Sequence, residues 1–240
     1  MNYIRRGTLP TKQHKTDTMS TLDILEVIVN SDPTISNLTF YKYPKQVLLQ
    51  NALCFGSVED EQLKDALLHR SKTKMPFWDS VMLTFFNRNP FSRKILEAAT
   101  KHNKNWETIK TRNIRRIRDM IANDKDINLS INSTISFQDN QKHIFLLDFH
   151  IPPADSNLMV VKNILQILNL TGYILNSGKS YHFIGKDYLT EDELITLLAK
   201  ALFFAPIVDR AWIGHQLIER SCSIRVGYKN GKLPVLASEV

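Results

Sequence analysis

The stretch from Lys142 to Gly185, KHIFLLDFHIPPADSNLMVVKNILQILNLTGYILNSGKSYHFIG, leaves few architectures open. Its apolar run, Ile144 to Leu147, has the length of a buried strand, and Pro152 and Pro153 stop it. Val160, Val161, Ile164, Leu165 and Leu168 then recur at helical spacing, with Asp155 or Ser156 as the expected cap and Gly172 as the expected stop. Tyr173–Asn176 reads as the next strand, and Tyr181–Ile184 continues it or pairs beside it. A strand–helix–strand unit has to bury its helix on a sheet. Both strands end in polar residues. Side chains two apart on a strand share a face, so Asp148 and His150 are expected to project together, with Phe149 turned away. Ser180 and His182 repeat this geometry on the second strand. Either pair alone suits turn and rim residues. Two such pairs across one unit point to a site.

The flanking sequence extends the sheet. Asn128–Phe137 alternates Leu129, Ile131, Ile135 and Phe137 with polar residues, as a half-buried strand does. Gln138-Asp139-Asn140 is turn-like, so this strand and Lys142–Ile151 are expected to form an antiparallel hairpin. Thr190-Glu191-Asp192-Glu193 is a capping box opening a helix that Pro206 closes. Asp209 precedes a short helical segment, Arg210–Glu219. Cys222–Tyr228 alternates as a strand, Asn230-Gly231 is a hairpin turn, and Leu233–Ala237 is the expected last strand. The order is β-β-α-β-α-α-β-β. It predicts an α+β fold, with helices packed on a mostly antiparallel sheet.

The first half is expected to be helix-rich. Residues 1–19 read as a flexible basic tail, residues 20–125 as a helical region and residues 126–240 as the α+β core. Ser20 and Asp23 form a capping box for a helix through Val29. Residues 38–49, around Pro44, suggest a short edge strand. Residues 59–70 and 78–104 read as mostly helical. Residues 105–122 read as one helix, with Trp106, Ile109, Ile114, Ile117 and Ile121 on its apolar side. Lys110, Arg112, Arg115, Arg116 and Arg118 fill the rest. Between Arg88 and Arg118 the only acids are Glu97 and Glu107. This surface suits the phosphate backbone of DNA or RNA. The competing account is a solvated face whose arginine stems cover apolar surface.

The formal net charge of +7 and pI near 9.3 favour anionic partners. No apolar run is long enough to span a membrane, and the N-terminus lacks the apolar core of a secretory signal. Two cysteines, Cys54 and Cys222, make neither a zinc motif nor a disulfide framework. A reducing, cytoplasmic setting is the expectation, with no membrane partner.

Asp148-x-His150, Ser180-x-His182 and Asp209 followed by Arg225 occur in an order that resembles the archaeo-eukaryotic primase superfamily, the primase-polymerases. The matching segments are LLDFH, NSGKSYHF and PIVDRAWIGHQLIERSCSIRV, within about residues 126–240. The resemblance implies an RNA-recognition-motif-like core and transfer of nucleotides from NTP or dNTP on a DNA or RNA template. It implies Asp148, His150 and Asp209 as catalytic metal ligands. It implies nucleotide binding by Ser177, Gly178, Lys179, Ser180, His182 and Arg225. A helicase or another replication or defence protein is an implied partner chain. His150 departs from the family's pattern, which has an acid at this position. An imidazole brings no negative charge and favours Mn over Mg as the divalent metal. A catalytically degenerate nucleotide- or nucleic-acid-binding module is therefore the alternative. D-x-H also begins the metallophosphoesterase pattern, but the later G-D-x-x-x-D and G-N-H of that pattern do not occur.

Overall fold

The computed structural model describes residues 19–44, 68–75, 80, 107–124, 127–138 and 140–240. Helix α1 (Thr21–Ser31) opens on the expected capping box: the Ser20 hydroxyl accepts from Asp23 N, and the Asp23 carboxylate accepts from Ser20 N. Strand β1 (Ile35–Pro44) follows, then β2 (Glu107–Thr111) and α2 (Ile114–Asn123). Strands β3 (Ile127–Phe137) and β4 (Asn140–Asp148) form the expected hairpin, with Thr134 opposite His143. Helix α3 (Asp155–Ile167) leads to β5 (Gly172–Asn176) and β6 (Tyr181–Leu189). Helices α4 (Glu191–Ala201) and α5 (Arg210–Glu219), then β7 (Ser223–Arg225) and β8 (Val235–Glu239), complete the order.

The described strands form one eight-stranded sheet in the order β2-β1-β3-β4-β6-β5-β8, with β7 paired to β3. Each strand pairing is antiparallel. The fold is α+β, as expected. Ile144 to Leu147 of β4 are buried at every position, so this strand is covered on both faces. The core runs from Ile24 and Leu25 in α1, through Phe40, Ile131, Leu146 and Phe183 in the sheet, to Leu194 and Leu198 in α4. No described helix is long and apolar enough to cross a membrane.

Several expectations need correction. The single helix expected over 105–122 is a strand followed by a helix. Ile109 and Thr111 face inward from β2, which pairs with β1 through Phe40 opposite Ile109. Asn113 then caps α2, its side chain accepting from Arg116 N. Pairing to a distant strand overrides the helical spacing there. Strand β1 lies between β2 and β3, so it is interior rather than an edge. The sheet therefore runs across residue 125. Helix α3 has Ala154 at its N-cap with no side-chain cap bond, and it ends before Gly172, which begins β5. The Asn230-Gly231 turn does not join two paired strands: β7 pairs with β3 and β8 with β5. Residues 68–73 are helical, but residues 59–67 and the expected helix over 78–104, apart from Ser80, lie outside the described residues, as do the first 18 residues.

Arg112 is a structural residue. Its guanidinium donates to Val29 O at 2.5 Å, in the last turn of α1, and to Ile35 O at the start of β1. Carbonyls at a helix end lack intrahelical donors, and a cation there also complements the helix dipole. Arg112→Ala is expected to lower unfolding free energy by about 2 kcal/mol or more, as loss of charge-assisted bonds to enclosed carbonyls does. Urea denaturation measures this; an unchanged midpoint would refute the assignment.

Candidate functional site

Five strands bring polar side chains to one cleft of about 900 Å³. Tyr43 comes from β1, Asn128 and Ser130 from β3, Asp148 from β4, His182 from β6 and Arg225 from β7. The strand registers explain the convergence: Asp148 pairs with His182, Ser130 with Arg225, and Tyr43 with Asn128. The turn after β5 adds Ser177, Gly178, Lys179 and Ser180. Gly178 takes φ +97, which side-chain-bearing residues rarely adopt. Asn176 holds that turn by accepting from Gly178 N at 2.9 Å.

The expected triad of Asp148, His150 and Asp209 is two pairs. His182 Nε2 lies 3.6 Å from Asp148 Oδ1, and His150 Nδ1 lies 3.5 Å from Asp209 Oδ2. Backbone bonding ties the pairs together, with Asp209 N donating to Asp148 O at 3.1 Å. The i, i+2 rule fails at His150 because β4 ends at Asp148. Phe149 bridges Val208, and His150 N donates to Ile207 O. His150 is thereby turned to an exposed rim, while Phe149 is buried, as expected. Asp209 caps α5 with Oδ1, accepting from Trp212 N at 2.9 Å. Among the described residues no group of three or more His, Cys, Asp or Glu side chains is gathered to hold a metal ion.

Electrostatics single out Asp148. Burial, and then the Asp209 charge, push its carboxyl up to about 8, against the pull of Lys229 and Arg225. Its Oδ1 is enclosed without a hydrogen bond. Two crowded carboxylates and an orphaned oxygen fit a bound cation. Asp148 and Asp209, with His150 beside them, are the donors such an ion would meet. His182 goes the opposite way. Burial, then Arg225 and Lys229, pull it down to about 3, so its imidazole is neutral. It can exchange hydrogen bonds with a phosphate but adds no charge.

A family model described as archaeo-eukaryotic primase 1D-like matches residues 107–235, over half of the chain. The chain belongs to this family. The search of curated proteins and that of solved structures each found no match. In this primase-family chain the match begins at β2, so it takes in β2 and α2 as well as the cleft residues other than Tyr43.

The other basic residues divide by environment. Arg118 is held by Asp23 at 2.7 Å and Glu26 at 2.6 Å, both on α1. With Arg112 bonded to carbonyls, neither is an open phosphate contact, which corrects the five-residue basic surface. Lys110 is exposed on β2 rather than on a helix. Arg115 and Arg116 are exposed on α2 and line a groove of about 500 Å³ with Lys42. Arg225 donates to Gly227 O at 2.5 Å, Lys232 O at 3.2 Å and Ser177 O at 2.8 Å. Sequence reasoning missed Lys229 and Lys232, which also line the cleft. A signal was present: lysines flank Asn230-Gly231 on both sides.

Proposed function

We propose that this primase-family chain transfers nucleotides from NTP or dNTP to a nucleic-acid strand, with a divalent metal. The observation that carries the reading is the charged lining of the cleft. Asp148, with Asp209 N bonded to its carbonyl, shares one cleft with Lys179, Arg225, Lys229 and Lys232. A nucleoside triphosphate bound as its metal complex calls for an acid at the ion and cations at the phosphates, and about 900 Å³ suits such a ligand. Asp148 and Asp209 would hold the ion, which when bound would stabilise charge at the reacting phosphoryl group. Ser180 and neutral His182 would hydrogen-bond phosphate oxygens and fix their orientation. The lysines would offset charge that builds on the departing phosphates.

Primer extension with labelled dNTPs and NTPs, in Mg and in Mn, tests the reading. Incorporation that Asp148→Ala abolishes in both metals supports it. The degenerate reading draws on a specific observation, the imidazole at position 150 set beside Asp209. Under that reading nucleotide binds without being incorporated, and calorimetry separates the two outcomes.

The template or primer would run over the α2 groove. Arg115 and Arg116 are exposed, so Arg115→Glu with Arg116→Glu is expected to leave stability unchanged. The double variant should reduce the slope of log affinity against log salt by about two, one per lost phosphate contact. An unchanged slope for both DNA and RNA would make this helix a solvated face.

A further inference from the structure

A cavity of about 450 Å³ stands between the nucleotide cleft and the α2 groove. Its walls are Ile121 and Ala122 of α2, Ile127 at the start of β3, and Gly227, Tyr228 and Gly231 of the loop after β7, with Asp124 beside them. Tyr228 and Gly231 also line the nucleotide cleft. Asp124 and Ile127 also line the α2 groove. The cavity therefore adjoins both.

Its chemistry differs from that of its neighbours. Lys42, Arg115 and Arg116 line the groove, and lysines line the cleft, but the described residues around this cavity include no cation. It has nothing to hold a phosphate. Ile121, Ile127 and Tyr228 offer apolar and aromatic surface, which suits a flat ring. Tyr228 is 42% exposed, so it is open to a partner. The loop that carries it is fixed. Val226 N at 2.8 Å and Gly227 N at 3.2 Å donate to Leu129 O of β3, and Lys229 and Lys232 exchange backbone bonds at 3.0 and 3.1 Å. Gly231 takes φ +74, and a Cβ there would meet nothing within 4 Å, so the turn leaves space beside Tyr228. Asp124 adds a carboxylate where cavity and groove meet. A carboxylate repels phosphate and accepts from the amino group of a base.

Resting on the reading of the α2 groove as the path of a nucleic-acid strand, we infer that this cavity takes one unstacked base of that strand, with Tyr228 as its stacking platform and Asp124 as the acceptor that favours bases carrying an amino group. The base comes from the strand rather than from a free nucleotide. A free nucleotide would bring its phosphates to a lining without cations, whereas a strand carries them past Arg115 and Arg116 in the adjoining groove.

Fluorescence anisotropy on the full chain tests this with single-stranded oligonucleotides of deoxycytidine, of deoxythymidine and of the abasic backbone. Ala122→Phe fills the cavity from an exposed position on α2. It should weaken the deoxycytidine strand about tenfold, the worth of one base stacked on an aromatic ring, and leave the abasic strand unchanged. Tyr228→Ala should act alike, whereas Tyr228→Phe keeps the ring and should keep the affinity. Asp124→Asn should narrow the wild-type preference for deoxycytidine over deoxythymidine. ATP affinity, read by calorimetry, should not change in Ala122→Phe, because Ala122 lines this cavity and not the nucleotide cleft. Thermal unfolding checks that each variant folds, and the exposed Tyr228→Ala carries the test if Ala122→Phe does not. Variants of Ala122 and Tyr228 that bind deoxycytidine as tightly as wild type would overturn the base site and leave the groove reading to the arginine variants. Equal loss on the abasic strand would overturn it too, as would loss confined to ATP. A Tyr228→Phe as weak as Tyr228→Ala would overturn the stacking role, and equal wild-type affinity for the two pyrimidine strands would overturn the role of Asp124. Wild type that binds none of the strands would overturn both the base site and the groove reading.

Discussion

Asp148→Asn is expected to stabilise the fold while abolishing nucleotide incorporation. The Asp148 carboxyl stands at about 8 in the folded chain because burial and Asp209 disfavour its charge. In the unfolded chain it returns to the ordinary carboxylate range near ~4. The folded protein therefore holds a proton that the unfolded chain releases between about pH 4 and pH 8. Stability linked to that proton is complete below about pH 4 and is lost as pH rises through 8. By pH 7 the loss is on the order of 2–4 kcal/mol, with some discount because the side chain is about a quarter exposed. Asparagine has the same shape and no charge, so the variant escapes it. The gain in urea midpoint should be small at pH 4.5, large at pH 8 and flat above. A variant no more stable than wild type at pH 8, in chelator, would sink the assignment.

The same shift sets the pH dependence of ion binding. At pH 7 an ion that meets Asp148 has to displace its proton, so affinity should tighten as pH rises towards 8. Calorimetry in two buffers of different ionisation enthalpy counts the protons released, with nearly one per ion expected at pH 7 and none for Asp148→Asn. His182 works against the acid side. Its folded-state pKa is depressed to about 3, so the unfolded chain takes up a proton that the folded chain refuses. Stability from neutral His182 is complete above about 6.5 and is lost as pH falls towards 3. The two groups face each other across β4 and β6, and stability falls on both sides of a window between their titrations.

Local chemistry was legible in the sequence where one short segment decides the outcome. The capping boxes at Ser20 and Thr190, the β3–β4 hairpin and the short helix after Asp209 need only neighbours within a turn or two. Strand β2 was not legible, because Ile109 becomes a strand residue only by pairing with Phe40, far away in sequence. Of the site, the strand-end positions of Asp148 and His182 followed from strand periodicity. The position of His150 did not, since periodicity gives no hint that β4 stops two residues earlier. Arg112 and Arg118 were misread for a shared reason. An arginine that bonds its own protein and one that awaits a phosphate have the same sequence, and only the fold separates them.

His150→Asp is expected to raise Mg-supported incorporation on the order of tenfold, the equivalent of ~1.4 kcal/mol in the barrier. The substitution restores the D-x-D spacing that His150 interrupts and puts a carboxylate beside Asp209, where Nδ1 now lies 3.5 Å from Oδ2. Mg is a hard cation that prefers carboxylate and water oxygens, whereas an imidazole suits Mn better. Wild type should therefore incorporate better in Mn than in Mg, and the variant should narrow or reverse that ratio. A second readout does not depend on turnover. Without divalent ion the variant crowds a third carboxylate near Asp148 and Asp209, so it should melt below wild type. Mg should then raise its Tm more than that of wild type, because the ion binds only the folded arrangement of acids. A larger Mg shift without incorporation would leave a metal-binding, degenerate domain. Equal Mg shifts in the two proteins would place His150 outside the ion's reach. If neither protein incorporates nucleotide in either metal between pH 6 and pH 9, that result would falsify nucleotidyl transfer for this primase-family chain and leave nucleotide binding as its activity.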